Sequence, residues 1–558
     1  MPKRLWRVGL PWLVAAACSS SPVTQPPLAP CTATSGGQIS LGIGAYTAVD
    51  PTQTAGCAVF PANPGGSTIE YLVVPQSASS TADDSQAFKL GGNPLAAPPV
   101  PAPAAPLAGP NVAQQFDLRL RLAEREFAAQ VPGPLRSPPR APALVTPVDS
   151  GNVRTFKVCN TLDCDPRKPS TLSNVTATAL KVGTHIAIYV DNAAPQPGLS
   201  QTDLDNLRDV FDTRLYETDT LAFGRESDID NNGMVIVLMS GKVNSMVTAV
   251  DCNTKGFVAG FFFGADLITT PPFATGNSGE IFYSIVPDPL GTLSCTHSVT
   301  NVKQLVPVTF VHEFQHMISF NQHFLVRGKF PEDLWLNEGL SHYAEDNGGR
   351  TFLPDTATFR SYVCGDLHNS GEYFTAPENY FLVDTAGIGS LAARGAYWLF
   401  VRYLVDQFAV GPLTPDSVTR RLVGTSLIGA TNVSAVTGTA FPTLVGRWGL
   451  TNYVSGLPSF APPAELQYVR WDFRAAYPAM HTPCAGVNVS IPSAYPLVPS
   501  VLDATSVQAI GMLHAGSGSY YRLQHAAGAP GFTLLFSNRA GAALRTSLVP
   551  RLSVIRLQ

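Results

Sequence analysis

Two histidines four residues apart, with a glutamate between them, can hold a metal ion and place a base beside it. His312 and His316 stand this way in His312-Glu313-Phe314-Gln315-His316. Four helical residues advance about 400°, so both rings leave one face about 6 Å apart along the axis. Rings so placed can both reach one zinc ion at about 2.0–2.1 Å. Glu313 lies beside the metal rather than on it, which is where a general base for water is needed. The flanks Leu305, Val306, Val308, Phe310, Val311, Met317, Ile318 and Phe320 are apolar, so a buried helix over Leu305 to Asn321 is expected. Polar groups inside such a helix need partners. A pair of satisfied core histidines is the competing reading. It does not account for the carboxylate between them.

A third ligand decides the class of site. A third histidine would require a Gly turn at 319 and His at 322, where this chain has Ser319 and Gln322. His323 lies about 10 Å beyond His316 along the helix axis, too far to share the metal. Glu338 is the better candidate. It opens a second apolar helix, Trp335-Leu336-Asn337-Glu338-Gly339-Leu340-Ser341-His342-Tyr343-Ala344-Glu345. Two His and one Glu leave a fourth position open, as a catalytic zinc site requires. Glu345 is on the Glu338 face and is expected to accept a hydrogen bond from a ligand histidine and fix its tautomer. His342 is placed in the cleft rather than on the metal. Tyr373, Tyr380, Tyr397 and His342 are candidate donors to a tetrahedral oxyanion.

With these residues in view, the pair HExxH and NExxxxxxE resembles the gluzincin metallopeptidases. Within them, His312-Glu-Phe-Gln-His-Met-Ile and Trp335-Leu-Asn-Glu-Gly-Leu-Ser are similar to the hyicolysin family of bacterial secreted neutral peptidases. Phe223-Gly224, Ser227 to Gly233, Gly256 to Gly260 and Glu280 to Tyr283 extend the likeness over roughly residues 150–410. The resemblance implies a zincin-like domain, one Zn2+ ion and hydrolysis of peptide bonds in protein or peptide substrates. It implies His312, His316 and Glu338 as ligands and Glu313 as base. The Trp-Leu-Asn-Glu-Gly segment is also similar to aminopeptidase N relatives. The Gly-x-Met-Glu-Asn signature for a free amino terminus is missing, so endopeptidase action is expected. The alternative is a surface binding or adhesion lipoprotein that keeps the scaffold without turnover.

The elements around the site suggest an α+β chain. Residues 150–480 read as a zincin-like domain: a mixed sheet, active-site helices, then a helical subdomain. Ala177 to Val190, Met234 to Met239, Gly256 to Leu267 and Glu280 to Val286 have strand character, and Ser200 to Tyr216 reads as a helix with a capping box. Residues 31–93 and 481–558 read as two small β domains. Residues 94–149 are Pro-rich with one helix over 111–130, and read as a linker or a pro-segment. Asp228-x-Asp230-x-Asn232-Gly233 resembles the first half of a calcium loop, but its twelfth position is Met239. A sharp turn before a strand is the main reading, with Ca2+ the alternative.

The chain of 558 residues has only 14% charged residues and a net charge of -4, with no basic patch, which argues against nucleic acid as a partner. Residues 1–30 read as an export signal and tether. Lys3, Arg4 and Arg7 precede the apolar run Val8 to Ala17, which is too short to span a bilayer. Ala15-Ala16-Ala17-Cys18 is similar to a lipoprotein processing site, with Cys18 carrying the lipid and the only membrane contact. Cleavage after Ala17 with Cys18 incidental is the alternative. Either way the chain is expected in the bacterial cell envelope or outside the cell. Eight further cysteines suggest up to four disulfides, with Cys31–Cys57 and Cys159–Cys164 the natural local pairs.

Overall fold

The computed structural model describes residues 25–92, 111–131, 133, 148–165, 168–269, 276–385, 390–411 and 414–558. The export signal and Cys18 lie outside them. Among the described residues, no helix is long and apolar enough to cross a membrane.

The chain begins with four strands, β1 (Tyr46–Val49), β2 (Cys57–Phe60), β3 (Ile69–Ser77) and β4 (Ser85–Gly92). Helix α1 (Val112–Gln130) follows, started by a reciprocal cap between Asn111 and Gln114. Next come β5 (Val153–Cys159), β6 (Leu172–Val182) and β7 (Ile186–Asp191), then α2 (Gln201–Val210) and α3 (Tyr216–Phe223). The stretch expected as a strand from Ala177 to Val190 is a β6–β7 hairpin, because Gly183 and Thr184 turn the chain between two apolar runs. Strand β8 (Val235–Met239) leads to the short helices α4 (Gly241–Asn244) and α5 (Ala249–Lys255), then β9 (Gly260–Phe262) and β10 (Ile281–Ser284). The six strands form one sheet in the order β5-β6-β7-β8-β10-β9. The central pairs β7–β8 and β8–β10 are parallel, and β9 closes one edge antiparallel to β10. All five residues of β8 are buried, as expected for a strand covered on both faces.

Four long helices pack on and beyond this sheet: α6 (Val299–Phe320), α7 (Leu334–Arg350), α8 (Thr356–Thr375) and α9 (Leu391–Phe408). The α+β expectation is met: a mixed sheet is followed by a run of long helices. Two glycines allow the helices to close. A Cβ on Gly339 of α7 would come 2.7 Å from the Tyr397 carbonyl oxygen of α9, and one on Gly395 of α9 would come 2.3 Å from the Asn369 backbone of α8. Both helices that flank Glu338 therefore approach nearer than any side chain would allow.

The last part of the chain corrects the domain reading. Strands β11 (Ser500–Asp503), β12 (Gln508–His514), β13 (Tyr521–His525), β14 (Phe532–Asn538) and β15 (Pro550–Arg556) do not form a sheet of their own. They interleave with the first four strands in two sheets, ordered β1-β15-β3-β13-β11 and β12-β4-β14-β2. Both neighbours of β3 come from the C-terminal part. Phe60, Tyr71, Phe88, Leu90, Leu534 and Phe536 share the core between the sheets. The expected β domains at 31–93 and 481–558 are thus one β sandwich built from both ends. Neither half has the strands to cover its own apolar face. The eight cysteines pair as Cys31–Cys57, Cys159–Cys164, Cys252–Cys295 and Cys364–Cys484, which includes both local pairs read from spacing.

Candidate metal and active site

The site lies where α6, α7 and α9 meet the β9 edge. Helix α6 begins at a Ser298 cap and is buried throughout its last eleven residues, Phe310 to Phe320. That burial follows from the apolar flanks of the motif, and it brings His312, Glu313 and His316 into the interior. Helix α7 buries Glu338, His342 and Glu345 opposite them. One ligand atom each from His312, His316 and Glu338 lies within 4.8 Å of the others. His316 Nε2 stands 3.1 Å from Glu338 Oε1, and His312 Nε2 stands 3.7 Å from Glu338 Oε2. Ligand atoms of a tetrahedral zinc at about 2.0–2.1 Å are about 3.3 Å apart, so these spacings bracket what the ion requires. The donor set, two imidazoles and a carboxylate, also suits zinc.

Each ligand candidate is held by a further group. His312 Nδ1 donates to Glu345 Oε1 at 2.6 Å, which leaves its Nε2 directed at Glu338. Glu345, expected to orient a ligand histidine, is therefore in contact with His312. Glu345 Oε1 also lies 3.1 Å from His342 Nδ1, and that nitrogen is 2.9 Å from Asp366 Oδ1 of α8. Ser341 Oγ donates to Gln315 Oε1 at 2.6 Å and sits 3.2 Å from His316 Nδ1. Glu338 Oε2 is 2.9 Å from Arg394 Nη1 of α9, and Arg394 Nη2 donates to Asp117 of α1 at 3.0 Å. Glu313 Oε2 accepts the Phe262 backbone N–H of β9 at 2.9 Å.

These contacts set the charges. Burial pushes Glu338 up, but Arg394 and then His316 and His312 outweigh it and hold the carboxyl well below its ordinary range. Burial pushes Glu313 up to about 7. His316 is driven down to about 3 by burial, which keeps its ring neutral and able to bind a metal. For Glu345, burial is outweighed by His342 and His312, and the carboxyl falls to about 2. Truncation of this orienting carboxylate, Glu345→Ala, is expected to weaken zinc affinity about 10–100-fold. Competition against a chromophoric chelator measures this, and unchanged affinity would remove the role assigned to Glu345.

The oxyanion candidates separate. Tyr373 is stacked on Trp448 in the core, with its hydroxyl 3.4 Å from Ser517 Oγ. Tyr397 is buried in α9, and burial, then Asp384 and more weakly Glu338, push its hydroxyl well up. The His342 ring lies 5.0 Å from that of His312. Tyr380 is half-buried and packs 6.4 Å from Tyr373. His323 is buried elsewhere, with Nε2 3.8 Å from Glu332. Arg394, Asp366 and Ser341 were not singled out from sequence. Arg394 shares the mostly apolar α9 with Arg402 and Asp406, and nothing in the sequence separates it from them.

No family model matches the chain. Comparison with characterised proteins finds the neutral metalloprotease ShpI of Staphylococcus hyicus, 29% identical over 141 residues. The matched stretch is 25% of this chain and 30% of ShpI, so the similarity spans under a third of the relative's length.

Helix α1 also reaches the site. Phe116 and Phe127 pack their rings against Phe261 and Phe263 at the sheet edge. Arg121 Nη2 donates to the Phe262 carbonyl at 2.6 Å, and Glu124 Oε1 accepts the Gly264 N–H at 2.7 Å. Side chains of α1 thus occupy backbone groups at the β9 edge, the row a bound peptide strand would use.

Proposed function

We propose that the chain is a zinc-dependent endopeptidase that works outside the cytoplasm. The observation that carries the reading is the convergence of His312, His316 and Glu338 with the Glu313 carboxylate beside them. The partial similarity to a neutral metalloprotease adds to it. His312, His316 and Glu338 would hold the zinc. The ion supplies Lewis acidity, making water more acidic and polarising the scissile carbonyl. Phe262 N–H anchors one oxygen of Glu313, and the other oxygen takes the proton of the attacking water and passes it to the leaving amine. Glu345 keeps His312 in the tautomer that presents Nε2. Four paired disulfides suit an oxidising compartment. A lipid on Cys18 remains the proposed means of anchoring.

The contacts of α1 favour a pro-segment over a linker for residues 94–149, since the helix sits where substrate would pair. Cutting the chain within 93–110 and again within 132–147, and so releasing α1, is expected to raise casein cleavage. Equal rates before and after removal would make α1 a fixed wall of the domain. Removal of metal by a chelator is expected to abolish cleavage, and added zinc to restore it. Cleavage that persists in the metal-free protein would end the zinc-peptidase reading.

A further inference from the structure

A second group of oxygen ligands lies on the loop between α3 and β8, away from the histidines. One carboxylate oxygen each from Asp228, Asp230 and Glu280 lies within 4.8 Å of the others. The loop Asp228-x-Asp230-x-Asn232-Gly233 has the spacing that starts a calcium loop, in which the twelfth residue is a carboxylate that closes the site. Here the twelfth residue is Met239, buried at the end of β8. The fold supplies the missing carboxylate from another strand. Ile236 N–H donates to the Glu280 carbonyl at 2.7 Å, which fixes Glu280 beside β8 at the entry to β10. Its side chain turns to the loop, where Oε1 accepts from the Ser227 hydroxyl and from the Ile229 N–H.

Glu280 makes its own demand for a positive partner. It is 1% exposed, and its Oε2 is buried with no hydrogen-bond partner among the described residues. A buried carboxylate oxygen left without a donor costs free energy unless a cation or proton meets it. Burial, then Asp230 and Asp228, push the Glu280 carboxyl up despite hydrogen bonds that oppose the shift. Arg154 Nη1 is 3.8 Å from Asp230 Oδ2, and the same guanidinium also donates to the Asn277 carbonyl. The group offers oxygen only, with neither imidazole nor thiolate. That selects a hard cation over zinc, and three carboxylates, two of them on a bent loop, suit the flexible, higher coordination of calcium.

We propose that Asp228, Asp230 and Glu280, with the loop between them, bind one calcium ion that ties the start of β8 to the start of β10. The site is structural and separate from the zinc ligands. Its expected affinity is that of extracellular modules, on the order of 10⁻⁴–10⁻³ M.

The test uses the full chain, stripped of metal and reloaded with one equivalent of zinc. Calcium binding is followed by calorimetry and by the thermal midpoint, with magnesium in parallel, for wild type, Glu280→Gln and Asp230→Asn. The expected result is one saturable calcium site in wild type that raises the midpoint, weakened at least tenfold in each variant, with zinc content unchanged. The Asp230→Asn arm carries the test if Glu280→Gln fails to fold. No saturable calcium binding in wild type, equal binding in the folded variants, or equal stabilisation by magnesium overturns the proposal.

Discussion

Glu313→Gln is expected to lower casein cleavage by about 10²–10⁴-fold, the usual range for loss of a general base. The substitution keeps size and one carbonyl oxygen, so the Phe262 N–H that donates at 2.9 Å retains an acceptor. It removes only the ability to exchange a proton. Zinc content should remain that of wild type, because Glu313 lies beside the ligand group rather than in it. Burial already disfavours the charged form of Glu313, so the neutral amide should fold at least as well. Activity within a fewfold of wild type would mean that another group activates water. Loss of zinc together with activity would mean that Glu313 has been misplaced and is itself a ligand.

Glu338→Gln is expected to weaken zinc binding more than about 100-fold, beyond the range for outer residues such as Glu345. The carboxylate faces both histidines and is 1% exposed, so no water can substitute for its charge. The same change leaves Arg394 with Asp117 as its remaining partner at 3.0 Å. Removing one member of a buried ion pair is destabilising, by about 3–5 kcal/mol when nothing compensates; Asp117 reduces that here. The thermal midpoint should fall in the metal-free protein as well, which separates the ion-pair effect from loss of zinc. A Glu338→Gln protein that holds zinc as tightly as wild type would contradict its role as third ligand.

The site was legible because its information is local. His312, Glu313 and His316 sit on one helix, where a spacing of four fixes direction, and an apolar flank announces burial. Glu345 was legible for the same reason: seven residues return to the same face as Glu338. Arg394, Asp117 and Asp366 were not, because each meets the site from a different element. No periodicity in α9, α1 or α8 encodes which helix lies opposite. The sandwich shows the same limit on a larger scale. Both ends of the chain read as β, but the sequence does not reveal that β3 pairs with β13 and β15, with Val73 opposite Tyr521 on one side and Val554 on the other. The calcium-like loop reads as incomplete in the sequence because its twelfth position is Met239 rather than Glu. Glu280 stands in that place only after β8 and β10 are laid side by side.

The most direct measurement is cleavage of casein and of a mixed peptide library by protein carrying one zinc per chain, run beside Glu313→Gln and His312→Ala. The account predicts internal cleavage by wild type, retained zinc without cleavage in Glu313→Gln, and loss of both in His312→Ala. A wild-type protein that binds stoichiometric zinc yet cuts neither casein nor any library peptide, with or without α1, would contradict it.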